Sequence, residues 1–378
     1  MKKIAILGST GSIGKTTLDV IRESKDLYEV VALAAFSNID ELEKQASEFN
    51  PKIIAVFDEK KAKELKKRLS NIKIVLSIEG LIEVATREDV DFVMMAISGS
   101  IALQPTIEAI KANKTIGLAN KEVLVAAGSL IKDLKKKHEC TIIPVDSEHS
   151  AIFQCLKNED QKSIKRLIIT SSGGPFFKYR REELKNIGLK EALKHPNFAM
   201  GKKITIDSST MMNKGLEIIE AYHLFEVKQE NIDVVIHPEQ IIHSMVEFID
   251  GSILAQLSEP TMEIPIRYAI SYPNRIKSNI KNFDFTKNST LSFFEPDLEK
   301  FLCLKLAMDA LKVQKSLPCF MNKANEILVK RFLEEKITWI DISIKLEKLM
   351  SLHKSENLID LSSILEVEEE AIKKAEKI

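Results

Sequence analysis

The chain reads as an α/β protein with a doubly wound, mostly parallel sheet at its start, a mixed α+β region in the middle and helices alone at its end. Three observations predict this. Short β-branched runs alternate with amphipathic helical stretches from Lys3 to Pro144, the rhythm of βαβ units. After that, glycines, serines and histidines gather in loops between alternating runs such as Val234–His237 and Met245–Phe248, which suit strands of a second sheet. Beyond Pro296 the apolar residues recur at helical spacing almost throughout.

In chain order, Lys3–Leu7 is a buried strand and Ser12–Ser24 the helix after it. Val30–Ala35 and Ile39–Phe49 repeat the pair. Strands follow at Ile53–Phe57, Ile72–Val75, Phe92–Ala96, Thr115–Leu118 and Thr141–Pro144, with Lys-rich helical segments between them. From Ser271 to Leu291 the chain is rich in Asn, Ser, Lys and Pro with little periodicity, the composition of a connecting segment. Helices are expected at Asp297–Val313, Lys323–Lys336, Ile340–His353 and Glu366–Lys377, interrupted only by Pro318. The expected divisions are therefore 1–149, 150–270, 271–295 and 296–378.

Composition narrows the function. The 378 residues carry 55 Lys+Arg and 55 Asp+Glu, so no global positive charge marks a nucleic-acid binder. No apolar run approaches the ~20 residues that span a bilayer, and the Met-Lys-Lys start leads into a strand with no signal-peptide pattern. The four cysteines, Cys140, Cys155, Cys303 and Cys319, form no CxxC or zinc-like spacing. Free thiols in a reducing cytoplasm are expected.

Gly8-Ser-Thr-Gly11-Ser-Ile-Gly14 follows the first strand and opens the first helix. Glycines there let backbone approach a pyrophosphate that faces the helix N-terminus, so the first region reads as a Rossmann-like dinucleotide domain. An ordinary strand-to-helix turn is the alternative, since the spacing is GxxGxxG rather than GxGxxG. An NAD-selective site places an acid at the end of the second strand. Here that strand ends Ala34-Ala-Phe-Ser-Asn38 with no acid until Asp40, which favours NADPH, although no Arg or Lys stands there to hold its 2′-phosphate.

Asp146-Ser-Glu148 follows the strand Thr141–Pro144. If extended backbone continues, both carboxylates face one side, and such oxygen donors suit Mg²⁺ or Mn²⁺. A solvated acidic pair is the competing reading. Glu217 is a third acid, in Met211-Met-Asn-Lys-Gly-Leu-Glu217. His237 and His243 match no metal-binding spacing and read as strand and turn residues, with lining of the site left as an alternative for His243. Ser172-Gly-Gly-Pro-Phe176 and Asp207-Ser-Ser-Thr-Met-Met-Asn-Lys214 offer hydroxyl, amide and ammonium donors for a small phosphate; alternatively Ser208 or Ser209 caps a helix. His195-Pro-Asn-Phe-Ala-Met-Gly201 reads as a loop able to close over a ligand, with Phe198 and Met200 as its apolar part.

Taken in order, Gly8–Gly14, Ala119-Asn-Lys-Glu122, Asp146-Ser-Glu-His149, Ser171–Phe176, His195-Pro-Asn197, Met211–Glu217, His243-Ser-Met-Val246 and Asn322-Lys-Ala-Asn-Glu326 resemble the 1-deoxy-D-xylulose 5-phosphate reductoisomerase family over essentially the whole chain. The resemblance implies NADPH-dependent rearrangement and reduction of that phosphorylated sugar to 2-C-methyl-D-erythritol 4-phosphate, in the non-mevalonate route to isoprenoids. It implies one Mg²⁺ or Mn²⁺ on Asp146, Glu148 and Glu217, with Lys121 near both the metal site and the nicotinamide. By the same resemblance Ser172, Ser208, Asn213 and Lys214 hold the substrate phosphate, His195 closes over it, and Ser147, Glu148 and Glu217 meet the rest of the substrate. Cofactor contacts are implied for Gly8, Ser9, Thr10, Gly11, Ser12, Ile13, Asn38, Asn120, Lys121, Glu122 and Gly201. A cytoplasmic homodimer, with no nucleic-acid or membrane partner, completes the expectation.

Three departures stand out. Phe36-Ser37-Asn38 replaces the Gly-Lys-Asn expected of relatives, Ser98-Gly-Ser-Ile101 replaces a Gly-Ala run, and Phe198 stands where Trp is common. Two rivals are a dinucleotide-sensing protein without catalysis and an NADP-dependent reductase of another small substrate. Both need the glycine loop; neither needs the acids and the phosphate donors together.

Overall fold

The computed structural model describes residues 1–194 and 201–378. In chain order its strands and helices are β1 (Lys2–Leu7), α1 (Ser12–Arg22), β2 (Tyr28–Ala35), α2 (Ile39–Phe49), β3 (Ile53–Val56), α3 (Glu59–Arg68), β4 (Lys73–Leu76), α4 (Ser77–Thr86), β5 (Phe92–Met95), α5 (Leu103–Lys111), β6 (Thr115–Leu118), α6 (Lys121–Lys137), β7 (Thr141–Pro144) and α7 (Ser147–Cys155). There follow β8 (Ile164–Ser171), α8 (Leu189–Ala192), α9 (Lys202–Ser209), α10 (Met212–Phe225), β9 (Ile232–Ile236), β10 (Ile242–Phe248), β11 (Ile253–Leu257) and α11 (Glu263–Ser271). The last four helices are α12 (Leu302–Val313), α13 (Leu317–Leu333), α14 (Trp339–Leu352) and α15 (Leu361–Lys377). The chain forms two compact units: Met1–Val123 with Ile131–Phe153 and Thr261–Asn282, and Leu124–Leu130 with Gln154–Pro260 and Phe283–Ile378.

The first unit is built on a seven-stranded sheet in the order β4-β3-β2-β1-β5-β6-β7, parallel throughout. Parallel strands are covered on both faces and so read as unbroken apolar runs. Accordingly Ile4–Leu7, Ile53–Val56 and Phe92–Met95 are fully buried, whereas the edge strand β4 is partly exposed. Leu18 and Ile21 of α1, Leu42 of α2 and Leu65 of α3 join Ile6, Leu33, Ile54, Phe92 and Met94 in one core. Each such side chain contributes roughly 1.5–3 kcal/mol on burial. Ile266, Ala269 and Ile270 of α11 belong to that same core, and Arg267 ties α11 to Glu23 with a 2.5 Å ion pair. A segment remote in sequence thus completes the dinucleotide-type domain.

The second unit holds a four-stranded sheet in the order β11-β10-β8-β9. β8 and β9 are parallel, and β10 runs antiparallel to β8 and β11. His237 is fully buried. Its Nε2 accepts hydrogen bonds from Ile241 N and Ile242 N at 3.1 and 3.2 Å, and its Nδ1 lies 2.9 Å from Ser292 O. Both nitrogens serve the turn, in keeping with a structural histidine.

The helices of the second unit pack around α13, whose Phe320, Met321, Ala324, Leu328 and Val329 are fully buried. Pro318 does not interrupt a helix, as the spacing suggested; it sits in the first turn of α13, where its missing N–H would have had no intrahelical partner. α15 likewise starts five residues before Glu366, capped by Asp360, whose Oδ1 accepts from Ser363 N at 2.9 Å.

Candidate active site

In the first unit the glycine loop turns from β1 into α1. Gly8 adopts φ +93, which favours glycine, and a Cβ there would lie 2.6 Å from the carbonyl carbon of Ala96. At Gly14 a Cβ would overlap the carbonyl oxygen of Gly8 and lie 2.7 Å from the carbonyl carbon of Ser9. At Gly11 it would meet only Gly8 O, at 3.4 Å. The first and third glycines are therefore demanded by packing, and the second is not. Gly8 N and Ser9 N donate to Ala34 O at 2.8 and 2.9 Å, and Gln45 Nε2 donates to Ser9 O at 3.0 Å, which pins the loop to β2 and α2. Ser9 is buried, whereas Thr10, Gly11, Ser12 and Ile13 are partly or fully exposed. They stand at a helix start whose first N–H groups lack intrahelical acceptors and whose dipole favours an anion. This loop fits a pyrophosphate.

At the end of β2, Phe36 is 55% exposed and stacks on Phe57 with 5.1 Å between ring centroids. Asn38 caps α2, its side chain accepting from Glu41 N at 3.2 Å. Phe36 and Phe57 line an open cleft of about 520 Å³ together with Asp58, Glu59, Lys60 and Lys63. The two lysines were missed from sequence because they do not follow β2. The available signal was sheet register: Ala35 pairs with Val56, so residues after β3 must flank residues after β2.

Asn120 precedes α6. Its Oδ1 accepts from Val123 N at 3.1 Å, and its Nδ2 donates to Ile97 O and Gly99 O at 2.6 and 3.0 Å. Both amide hydrogens are thus committed to the turn after β5. Lys121, 6% exposed, places its ammonium 2.5 Å from Asp146 Oδ2. Glu122 is half-buried in the same first turn. The backbone does not continue extended through the Asp146–Glu148 pair: α7 starts at Ser147, and Ser150 N donates to Asp146 O at 2.8 Å. The two carboxylates are offered from a helix start instead. Ser147 N donates to Asp146 Oδ1 at 3.1 Å and Ser147 Oγ to Glu148 Oε2 at 2.5 Å.

In the second unit β8 runs into the Ser171–Phe176 loop. Ser171 Oγ and Ser172 Oγ accept from Gly173 N and Gly174 N, each at 3.2 Å, and both glycines have positive φ. A Cβ on Gly174 would lie 2.6 Å from Ser208 O, so this loop rests directly on α9. Ser208 and Ser209 do not cap a helix start; they end α9. Met211 then takes a left-handed conformation, φ 59, uncommon for a residue with a Cβ, and α10 begins. Between 205 and 221 only Ser208 and Asn213 keep partial exposure. Glu217, 1% exposed, accepts from Asn213 Nδ2 at 2.5 Å and pairs with the buried ammonium of Lys214. These are i,i+4 and i,i+3 neighbours on one helix face. Gly201 is exposed at the start of α9. His195, Phe198 and Met200 lie outside the described residues.

The donor sets match their expected ligands. Asp146, Glu148 and Glu217 offer hard carboxylate oxygens suited to a small divalent cation. Ser172, Ser208, Asn213 and Lys214 offer hydroxyl, amide and ammonium hydrogens suited to a phosphate. In this structure a lysine ammonium neutralises both Asp146 and Glu217 within their own units.

Comparison with known proteins places the chain as a whole. Family models described as 1-deoxy-D-xylulose 5-phosphate reductoisomerase match residues 4–128, its C-terminal domain 142–225, and a DXP reductoisomerase C-terminal domain 257–374. A protein of that name from Protochlamydia amoebophila (strain UWE25) is 55% identical over 97% of this chain and 96% of its own length. One from Thermoanaerobacter sp. (strain X514) is 49% identical over 100% and 99%. The Zymomonas mobilis reductoisomerase in complex with NADPH superposes with a TM-score of 0.94 at 40% identity, covering 99% of this chain and 98% of that one. A DOX-P reductoisomerase solved with NADPH, fosmidomycin and magnesium gives 0.94 at 42%, covering 100% and 98%. Matched by these models over most of its length and by relatives at 49–55% identity over nearly all of it, the chain belongs to the 1-deoxy-D-xylulose 5-phosphate reductoisomerase family.

Proposed function

We propose that this protein converts 1-deoxy-D-xylulose 5-phosphate to 2-C-methyl-D-erythritol 4-phosphate, using NADPH and Mg²⁺ or Mn²⁺. The observation that carries the reading is the paired chemistry of Asp146 with Lys121 and of Glu217 with Asn213 and Lys214, in a chain that also carries a glycine loop suited to an anion. Neither a sensor nor a simple dehydrogenase has use for the whole set.

Asp146, Glu148 and Glu217 would hold the cation, which supplies Lewis-acid polarisation of the substrate's carbonyl and neighbouring hydroxyl. Gly8 to Ile13 would hold the NADPH pyrophosphate, and the cofactor supplies the hydride. Everything else falls to the chain. Ser172, Ser208, Asn213 and Lys214 anchor the phosphate away from the reacting carbons, so binding energy orients those carbons. Ser147 and Glu148 meet the substrate hydroxyls. Lys121 brings a buried positive charge beside Asp146, able to steady oxyanion character that develops on the substrate. His195 is assigned to the closing loop on the family resemblance. We place the enzyme in the cytoplasm as a homodimer; four reduced thiols suit that compartment. Among the described residues no helix is long and apolar enough to cross a membrane.

The test follows NADPH absorbance with 1-deoxy-D-xylulose 5-phosphate, with and without Mg²⁺ or Mn²⁺, for the native protein and Glu217→Gln. Metal-dependent oxidation should fall by about a hundredfold or more in the variant, as the loss of several kcal/mol of charge stabilisation implies. Folded protein that binds NADPH but never oxidises it with this substrate would refute the proposal.

A further inference from the structure

We infer that Trp339, on a C-terminal helix far from the chemistry in sequence, is the positioning residue for the substrate-phosphate site. The inference rests on the assignment of Ser172 and Ser208 to that phosphate.

Trp339 opens α14 and is the only tryptophan of the chain. Its indole is 4% exposed and touches both segments that carry the phosphate serines. Its Nε1–H donates to Ser209 Oγ at 2.9 Å, and Ser209 Oγ in turn donates to Ile206 O at 2.7 Å. The ring also meets Phe176 edge to face, with centroids 5.4 Å apart and planes at 82°. Phe176 is buried at the end of the Ser172 loop, and Ser209 is buried next to Ser208. A second bond acts alongside: Asn325 of α13, fully buried, donates from Nδ2 to Asp207 Oδ1 at 2.8 Å. Lys203 pairs with the other oxygen of Asp207 at 2.8 Å.

Successive helical side chains point about 100° apart. Fixing Asp207 and Ser209 inward therefore leaves Ser208, between them, facing out, and it alone of the three keeps partial exposure. The same indole sets the depth of the Ser172 loop through Phe176. Two serines some 36 positions apart in sequence are held to a common standard by one side chain. A neutral indole cannot contribute charge, so its role is geometric: it determines how well hydroxyls already present reach a phosphate.

The experiment uses the full-length enzyme with three variants, Trp339→Phe, Ser209→Ala and the double variant, plus Ser208→Ala. Trp339→Phe keeps an aromatic ring facing Phe176 and removes the Nε1 donor together with part of the indole's bulk, whereas Ser209→Ala removes the acceptor and leaves the indole whole. For each, kcat and KM for 1-deoxy-D-xylulose 5-phosphate are measured, with the inhibition constant of inorganic phosphate, the Kd of NADPH and the melting temperature. KM and the phosphate inhibition constant should rise together by about three- to tenfold in each single variant, the scale of one neutral hydrogen bond. kcat should stay within about twofold, NADPH affinity should be unchanged, and the double variant should be no worse than either single one. A lowered melting temperature with unchanged KM and phosphate inhibition would overturn the inference, as would effects that multiply in the double variant. Ser208→Ala that leaves phosphate inhibition unchanged would instead overturn the underlying assignment of the phosphate site.

Discussion

Replacing Gly14 by Ala separates packing from ligand contact in the glycine loop. The added Cβ would overlap Gly8 O and lie 2.7 Å from the Ser9 carbonyl carbon, and those neighbours are backbone, unable to swing aside. Gly8 itself is blocked on its other side by the Ala96–Ile97 backbone, 2.6 and 2.9 Å from its own notional Cβ. The start of α1 must therefore back away from the loop by several tenths of an ångström. Overpacking of this kind costs about 1–3 kcal/mol. The upper half of that range applies here, or a loss of roughly 30- to 150-fold in NADPH affinity if the shift falls on the N–H groups facing the pyrophosphate. Gly11→Ala is the control: with φ −80 and one contact at 3.4 Å it should leave the melting temperature almost unchanged, so that any change in its affinity reports contact with the cofactor alone. Fluorescence titration of NADPH and thermal melts of both variants provide the readout. Gly14→Ala with native affinity and native melting temperature would refute the reasoning, and so would Gly11→Ala unfolding as early as Gly14→Ala.

Three further outcomes follow from individual contacts. Gly215→Ala drives a methyl group into Ala307 Cβ where α10 meets α12 and should lower stability by about 1–3 kcal/mol, read by urea denaturation. Asn120→Ala removes the α6 cap and both donors to the turn after β5; a loss of about 1–2 kcal/mol is expected in the same assay. Burial pushes the Cys303 thiol from 9.0 up to about 12. The folded protein therefore keeps that thiol protonated where the unfolded chain ionises it. Its stabilisation is full below about pH 9 and lost as pH rises towards about 12, so Cys303→Ala should flatten the fall of melting temperature between about pH 9 and about pH 10.5.

What was legible in the sequence was what is local. The strands Ile53–Val56 and Phe92–Met95 announce themselves because a parallel strand covered on both faces has no polar positions to interrupt it, and the glycine loop was visible because its backbone demands fall within seven residues. Local polar patterns were misread where two geometries share one composition. Asp146-Ser-Glu148 suits extended backbone or a helix start equally well, and the structure selects the helix start. Asp207-Ser-Ser209 looks like an N-cap but closes a helix. Pro318 looked like a break and is a beginning, which only the position of the following apolar residues in α13 distinguishes. The end of β2 shows the same limit differently: Lys60 and Lys63 reach the cleft beside Phe36 through sheet register and not through any motif.

The C-terminal helices are the extreme case. Their own sequence holds no recognisable chemistry, because Asn325 and Trp339 act on partners 118 and 130 positions away. Yet a fold that buries Asp207 to 1% exposure must supply it with partners or lose several kcal/mol to desolvation. Lys203 supplies one on the same helix, as i,i+4 spacing permits; the second must come from elsewhere, and Asn325 is that partner. A buried carboxylate next to a proposed ligand serine thus calls for a remote donor, and both its burial and the donor's identity come from the fold. By the same logic, substitutions in these helices should be judged by what they do to α9 and the Ser172 loop, and not by the helices' distance in sequence from the reacting groups.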